Sequence, residues 1–192
     1  MNMTTDQDYI NKVLAGDTQA YTFLVNRYKD MVFTLALKML RDREEAEEVA
    51  QDVFVKVYEK LSKFKGEAKF STWLYKVVYN TCLDRIKKIR RGVLVVAMED
   101  ITERQIKTVD NALDEMEQKE RDDAIQECMS LLTPDESALL TLFYFEELSF
   151  KEISKITGIS TNNLKVKLFR SRKKLALIMQ EKIAPEIIEN YG

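Results

Sequence analysis

LSFKEISKITGISTNNLKVKLFRSRKKL, residues 148–175, decides how the rest of this chain is read. Ser149-Phe150-Lys151-Glu152 is a capping box, flanked by Leu148 and Ile153 at the two positions of a hydrophobic staple. It predicts a short helix over Phe150–Ile156 that stops at Gly158, because glycine accepts the left-handed backbone that ends a helix. Ser160 and Thr161 then cap a second helix. At about 100° per residue with Leu164 as origin, Leu168 falls at about 40°, Ser171 at about 340° and Leu175 at about 20°, which predicts the packed side. Asn162, Lys165, Val166, Phe169, Arg170 and Lys173 fall between about 100° and 240°, on the side away from it. A short helix, a turn at glycine and a second helix with a basic outer face is the helix-turn-helix arrangement. An ordinary helical hairpin shares its first two features.

The outer face has the chemistry of a groove reader. Arg and Asn pair with guanine and adenine edges in the major groove, and Val and Phe meet the thymine methyl. Lys167, Arg172 and Lys174 flank that set and suit phosphates. Six of the ten residues from Lys165 to Lys174 are basic and none is acidic. A second basic run, Arg85 to Arg91, has five cations in seven residues. Taken alone, either run is more often a solvated helix face.

Composition points the same way. With only 5 Gly and 2 Pro in 192 residues, the chain lacks the turn residues a sheet protein needs, so the expected fold class is all-α. The absence of His removes the usual general base and the commonest metal ligand. Cys82 and Cys128 stand far apart without a second Cys near either, which suggests buried thiols rather than a zinc site or a disulfide. No cofactor or metal is expected. The polar, acidic N-terminus and the lack of any apolar run of 18 residues predict a cytoplasmic protein with no membrane insertion. The net charge of −2 hides unequal parts: Met1–Arg91 has 17 Lys and Arg against 13 Asp and Glu, Gly92–Glu147 has 4 against 15, and Leu148–Gly192 has 9 against 4. Two basic modules flank an acidic one.

Apolar spacing places a helix over Gln19–Leu40, through Phe23, Leu24, Met31, Leu35 and Met39. Asp42-Arg43-Glu44-Glu45 starts another, with Ala46, Val49, Ala50, Val53, Phe54, Val57, Tyr58 and Leu61 as one apolar stripe. Phe64–Phe70, with Gly66, reads as a loop. From Ser71 to Arg91 the helical period returns, with Leu74, Val78, Cys82 and Ile89 on one side and Lys76, Asn80, Asp84, Lys87 and Arg91 on the other. Gly92–Lys119 reads as an acidic linker. A new module starts near Asp122, with Ala124, Ile125, Cys128, Met129 and Leu132 at helical spacing, followed by a fresh cap at Thr133-Pro134-Asp135-Glu136.

Residues 148–175 resemble region 4, the part that reads the promoter −35 element, in the extracytoplasmic-function (ECF) group of bacterial sigma factors. REEAEEVAQDVFVKVYEKLSKFKGEAKFSTWLYKVVYNTCLDRIKKIRR, residues 43–91, resembles region 2 of the same family. The resemblance implies two small helical domains, region 2 over residues 1–95 and region 4 over 122–192, joined by a linker over 96–121. It implies a non-catalytic subunit that directs bacterial core RNA polymerase to promoter DNA and assists initiation. Glu48, Gln51 and Asp52 would bind the polymerase, and all three lie opposite the stripe of Val49, Val53 and Val57. Phe64, Gly66 and Phe70 would form the pocket for a base flipped out of the −10 element; each aromatic taken singly would serve equally well to anchor the loop. Asn80 would contact the −10 element, and Lys87, Lys88, Arg90 and Arg91 its phosphates. Trp73 reads as core. The −35 contacts would be Asn162, Asn163, Lys165, Val166, Lys167, Phe169, Arg170, Lys173 and Lys174. The acidic middle, Glu99–Asp123, would occupy the polymerase channel later used by RNA. An anti-sigma factor, in this group often membrane-bound, is the expected regulator.

Two departures stand out. FSTWL has one Trp where housekeeping members have two adjacent ones that wedge the duplex, implying weaker intrinsic melting. Asn162-Asn163 replaces the Gly-Thr common before the reading helix. A free-standing helix-turn-helix regulator explains residues 148–175 equally well and leaves residues 1–91 without a role. An enzyme would need a His, a phosphate loop or a metal constellation that the chain does not offer.

Overall fold

The computed structural model describes residues 5–89 and 118–182, and these are helical with no strand among them. They group into two compact units, one drawn from Met1–Gly92 with Lys151–Ile159 and the other from Val93–Phe150 with Ser160–Gly192.

The first unit begins with α1 (Asp6–Leu14), which the apolar period did not predict. Thr5 starts it: its Oγ1 accepts the Asp8 N–H at 3.3 Å, and the Asp8 carboxylate accepts the Thr5 N–H at 2.8 Å. Ile10 and Val13 bury its inner side. The Asp6 carboxylate fastens α1 to the next helix, accepting from Arg27 Nη1 and from Tyr28 Oη, each at 2.6 Å. That helix, α2 (Gln19–Leu40), has the expected bounds and buries Leu24, Leu35 and Met39. Phe23, expected in the stripe, is 57 % exposed and stacks on Tyr9 of α1 with centroids 5.0 Å apart.

Asp42 caps α3 (Arg43–Lys60), accepting the Glu45 N–H at 2.9 Å. Ala46, Val49, Val53 and Val57 are buried, as is Leu61 in the short 3-10 turn Leu61–Lys63. Tyr21 Oη of α2 donates to the Phe54 carbonyl at 2.5 Å, joining the two helices across the stripe. α4 (Phe70–Ile89) packs on both α2 and α3 through Leu74, Val78 and Cys82. Burial pushes the Cys82 thiol up to about 12, so it is an inert core residue. Ile89, expected on the same side, is 57 % exposed because the last turn of α4, residues 87–89, is open to solvent all round.

In the second unit, α5 (Gln118–Ser130) starts four residues ahead of the expected Asp122. Cys128, Met129 and Leu132 are buried. The capping box at Thr133 is present: Glu136 accepts the Thr133 N–H at 2.8 Å, and Thr133 Oγ1 accepts the Glu136 N–H at 3.4 Å. It opens α6 (Pro134–Leu140), which widens over Thr141–Phe145 into one π turn, where the Glu146 N–H reaches the Thr141 carbonyl at 3.1 Å. Glu147 follows at φ +50°, and no sequence pattern marked that segment. α7 (Phe150–Thr157), which from Lys151 onward groups with the first unit, ends at Gly158, whose φ of +75° is the left-handed stop; a Cβ there would meet nothing within 4 Å, so conformation alone selects glycine. α8 (Thr161–Lys182) follows after three residues, and α5 and α6 pack against it.

Arg90, Arg91, the apolar run Val93–Ala97 and the acidic linker through residue 117 lie outside the described residues. Among those described, no helix is long and apolar enough to cross a membrane.

Candidate nucleic-acid interface

α8 separates its two faces sharply. Leu164, Leu168 and Ser171 are buried at 0 %, 5 % and 2 % exposure, and Leu175 is half-buried. Ser160 sets the start, its Oγ accepting the Asn163 N–H at 3.4 Å. Asn162, Asn163, Lys165, Val166, Lys167, Phe169 and Arg170 all lie on the exposed side. Two of these are large and apolar: Val166 is 51 % and Phe169 57 % exposed. The Lys173 ammonium lies 5.0 Å from the Phe169 ring centroid, a cation held against an aromatic. Arg172 stands 5.9 Å from the Tyr144 ring. Arg170 and Lys167 line a cleft of about 250 Å³ with Thr133, Asp135 and Glu136.

Lys174 departs from its expected role. It is half-buried, and its ammonium donates to Glu136 Oε2 at 2.9 Å, the oxygen that also accepts the Thr133 N–H. Burial alone would raise the Glu136 carboxyl, but the Thr133 backbone, the Lys174 ammonium and the Thr133 hydroxyl hold it below its ordinary value. Lys174 therefore fastens α8 to the start of α6 and is not presented to a phosphate.

The expected residues of the first unit fall into two sets. Phe64 sits on the loop with Gly66, whose φ is +72°. The Phe64, Phe70 and Trp73 rings form a cluster with centroids 5.5 to 5.8 Å apart. Within it, Phe70 is only 4 % exposed and also touches Tyr28, so its ring anchors the loop rather than lining an opening; Phe64 and Trp73 are half-buried. Beside the cluster is a cleft of about 350 Å³ lined by Lys63, Phe64, Lys65, Glu67, Ala68, Thr72, Trp73, Lys76 and, from α7, Lys155. The Thr72 hydroxyl at this cleft is buried and makes no hydrogen bond among the described residues. From Lys76 the exposed stripe of α4 runs through Asn80, Asp84 and Lys87, with Lys88 beside it.

Glu48, Gln51 and Asp52 are exposed on α3. Their stripe continues into Val55, 59 % exposed; Tyr58, expected in the apolar stripe, is instead 45 % exposed at its edge, its ring set edge-on to Tyr21. Arg85 of α4 reaches across to the carboxylates of both Glu45 and Glu48. Val55, Arg85 and Thr72 were not picked out from the sequence. Val55 had a signal, an apolar residue off the buried stripe at helical spacing from Gln51; the other two depend on a neighbouring helix or loop.

The chain matches the family description "Sigma-70 region 2" over residues 24–92 and "Sigma-70, region 4" over residues 122–175. It is 32 % identical over 172 residues to the ECF RNA polymerase sigma factor SigW of Bacillus subtilis, covering 86 % of this chain and 92 % of that one. It is 29 % identical over 184 residues to the RNA polymerase sigma-H factor of Pseudomonas aeruginosa, covering 91 % and 94 %. Among solved structures, the sigma factor RpoE of Bartonella quintana, crystallised with the anti-sigma factor NepR, has the same fold with a TM-score of 0.64 at 16 % identity, over 86 % of this chain and 99 % of that one. CnrH, solved in complex with the cytosolic domain of CnrY, gives 0.59 at 18 % identity, over 92 % and 98 %. The chain belongs to the ECF group of RNA polymerase sigma factors, non-catalytic proteins that direct the polymerase to promoters.

Proposed function

We propose that α8 reads the −35 element, that the loop cleft and the exposed stripe of α4 engage the −10 element, and that the outer stripe of α3 binds the core polymerase. The observation that carries this reading is the exposed face of α8, where Val166 and Phe169 lie open to solvent among Asn162, Lys165 and Arg170. Large apolar side chains interleaved with cations and amides on one solvent face suit the mixed polar and methyl edge of the major groove. Asn163, Lys167 and Lys173 border that face and suit phosphates. In the other unit, a cleft beside a half-buried Phe64, with four lysines and an unpaired Thr72 hydroxyl at its wall, suits a flipped base: an aromatic for stacking, a polar atom for the base edge, and charge for the backbone. Gly66 and the α4 residues Asn80, Lys87 and Lys88 complete that surface, and Arg90 and Arg91 extend it in sequence. Phe70 supports the loop from within.

The working modules in this reading are residues 1–95 and 122–192, tethered by 96–121. An anti-sigma factor is the proposed regulator, supported by the crystallised pairing of the similar RpoE with NepR. Glu48, Gln51, Asp52 and the adjoining Val55 are the proposed polymerase contacts. Gln51→Ala combined with Asp52→Ala should lower affinity for core polymerase while leaving the helical circular dichroism unchanged, since both residues lie off the packed stripe. Run-off transcription and gel shift, with and without core polymerase, test the whole reading. The free protein should bind duplex weakly, and the holoenzyme specifically. Tight sequence-specific binding by the free protein would argue for an autonomous regulator instead.

A further inference from the structure

We infer that α1 positions the loop cleft of the first unit, with Asp6 acting through Tyr28 and Phe70 on the ring of Phe64; this rests on the proposed reading of that cleft as a pocket for a −10 base. α1 (Asp6–Leu14) lies ahead of residues 24–92, the span matched to region 2. It packs on α2 and on the turn Leu61–Lys63, which leads directly into the loop.

A chain of contacts runs from α1 to the cleft. One oxygen of the Asp6 carboxylate accepts from Tyr28 Oη at 2.6 Å, while the other accepts from Arg27 Nη1 at 2.6 Å. With its hydroxyl held, the half-buried Tyr28 side chain is tied at its tip as well as at its base. Its ring stands 5.5 Å from that of Phe70, and Phe70 in turn meets Phe64 edge-on at 5.5 Å and Trp73 at 5.8 Å. Phe64 and Trp73 line the cleft. α1 also approaches the loop directly: Gln7 Oε1 lies 3.8 Å from the place a Cβ would take on Gly66, and the Gln7 amide donates to Asn11 Oδ1 at 2.9 Å.

Stacking makes that support matter. Every rotamer frozen on binding subtracts from affinity, so a ring that receives a base gains by being held beforehand. Phe64 stands on a loop whose backbone turns through the left-handed region at Gly66, and a side chain on a loop is precise only when packing from behind locks it. Phe70 is that packing, and Asp6 fixes the tyrosine that backs it.

The test uses the holoenzyme assembled with core polymerase and two DNA probes, a duplex ending upstream of the −10 element and a fork whose −10 non-template strand is single-stranded. The fork should bind the wild type more tightly. Phe64→Ala should lower fork affinity about tenfold, the value of one stacked base. Asp6→Ala should lower it about threefold, and so should Tyr28→Phe, a milder change that keeps the ring and removes only its hydroxyl. Asp6→Asn retains an acceptor for Tyr28 and should restore most of the loss. Affinity for the duplex probe and for core polymerase should stay at the wild-type value throughout. Asp6→Ala joined to Phe64→Ala should fall no further than Phe64→Ala alone, because the two changes act on one ring. The inference is overturned if Asp6→Ala and Tyr28→Phe both leave fork affinity unchanged, if they weaken both probes or core binding equally, or if their effects add to that of Phe64→Ala. Should Phe64→Ala itself be neutral on the fork, the reading of the cleft as a base pocket fails as well.

Discussion

The two basic runs, at the end of α4 and along α8, look alike in composition and are used differently. In α4, the first cation of the run, Arg85, turns inward to the carboxylates of Glu45 and Glu48 on α3, and among the described residues of the run Lys87 and Lys88 are exposed. In α8 the order is reversed: Lys165, Lys167 and Arg170 are exposed, and Lys174 near the end of the run is held by Glu136. Within each run, one long cation fastens its helix to a neighbour while other cations of the run stay exposed. Charge density along a sequence does not separate these roles. What separates them is whether the residue lies on the edge of the packed face, within reach of an acid on another helix.

The sharpest way to break that contrast is to remove a cation from the open side. Arg170→Ala in the holoenzyme should cost roughly 1–3 kcal/mol, about 5- to 150-fold in promoter affinity, and relax selectivity at one or two −35 positions. A panel of −35 point variants measured against both proteins checks it. A uniform loss across the panel would make Arg170 a phosphate contact and move base readout elsewhere on α8.

Much of this was legible in the sequence where one helix decides the answer alone. The bounds of α2, the cap at Asp42, the capping box at Thr133, the stop at Gly158 and the two faces of α8 all follow from local spacing, and the structure has each of them. What escaped depends on a second element. α1 is nine residues long with two buried positions, too few for a period to register. Phe70 was placed on an opening, but only the rings of Tyr28, Phe64 and Trp73 together close over it. Ile89 continues the apolar phase of α4 in a turn open to solvent on every side. Lys174 and Arg85 find acids 37 to 40 positions away. The candidate site was legible in outline for the same reason: exposed faces are a local property, and individual partners are not.

A cation on the fastening side should show in stability, with a pH signature. Glu136→Gln keeps the size of the side chain and removes its charge, so at neutral pH the second unit should lose about 1 kcal/mol from the half-buried pair with Lys174. The folded Glu136 carboxyl is held below its ordinary value, so this contribution is complete above the unfolded pKa of about 4.5 and is lost as pH falls through the lower folded value. Urea unfolding at pH 7 and at successively lower pH should therefore show the penalty at neutral pH and its decline as pH falls below about 4.5. A penalty unchanged throughout the acid range would assign the effect to the hydrogen bond to Thr133 rather than to charge.

The finest discrimination is between two lysines of the same run. Lys165 is exposed and Lys174 is tied, so only Lys165 has a charge to offer DNA. Each phosphate neutralised releases counterions and contributes about 0.9 to the slope of log affinity against log salt. Lys165→Met should lower that slope by about one for the holoenzyme and weaken all −35 sequences by a similar small factor, with no change in unfolding. Lys174→Met keeps the aliphatic stem but leaves Glu136 without its cation, so it should lower stability while the salt slope stays at the wild-type value. Lys173, whose ammonium lies against Phe169, should fall between them, because it can reach a phosphate only by giving up that ring. Salt titrations of the three variants, from about 50 to 200 mM, rank them. Equal slopes for Lys165→Met and Lys174→Met would mean that the Glu136 pair opens on DNA, and that the two ends of the run share one role.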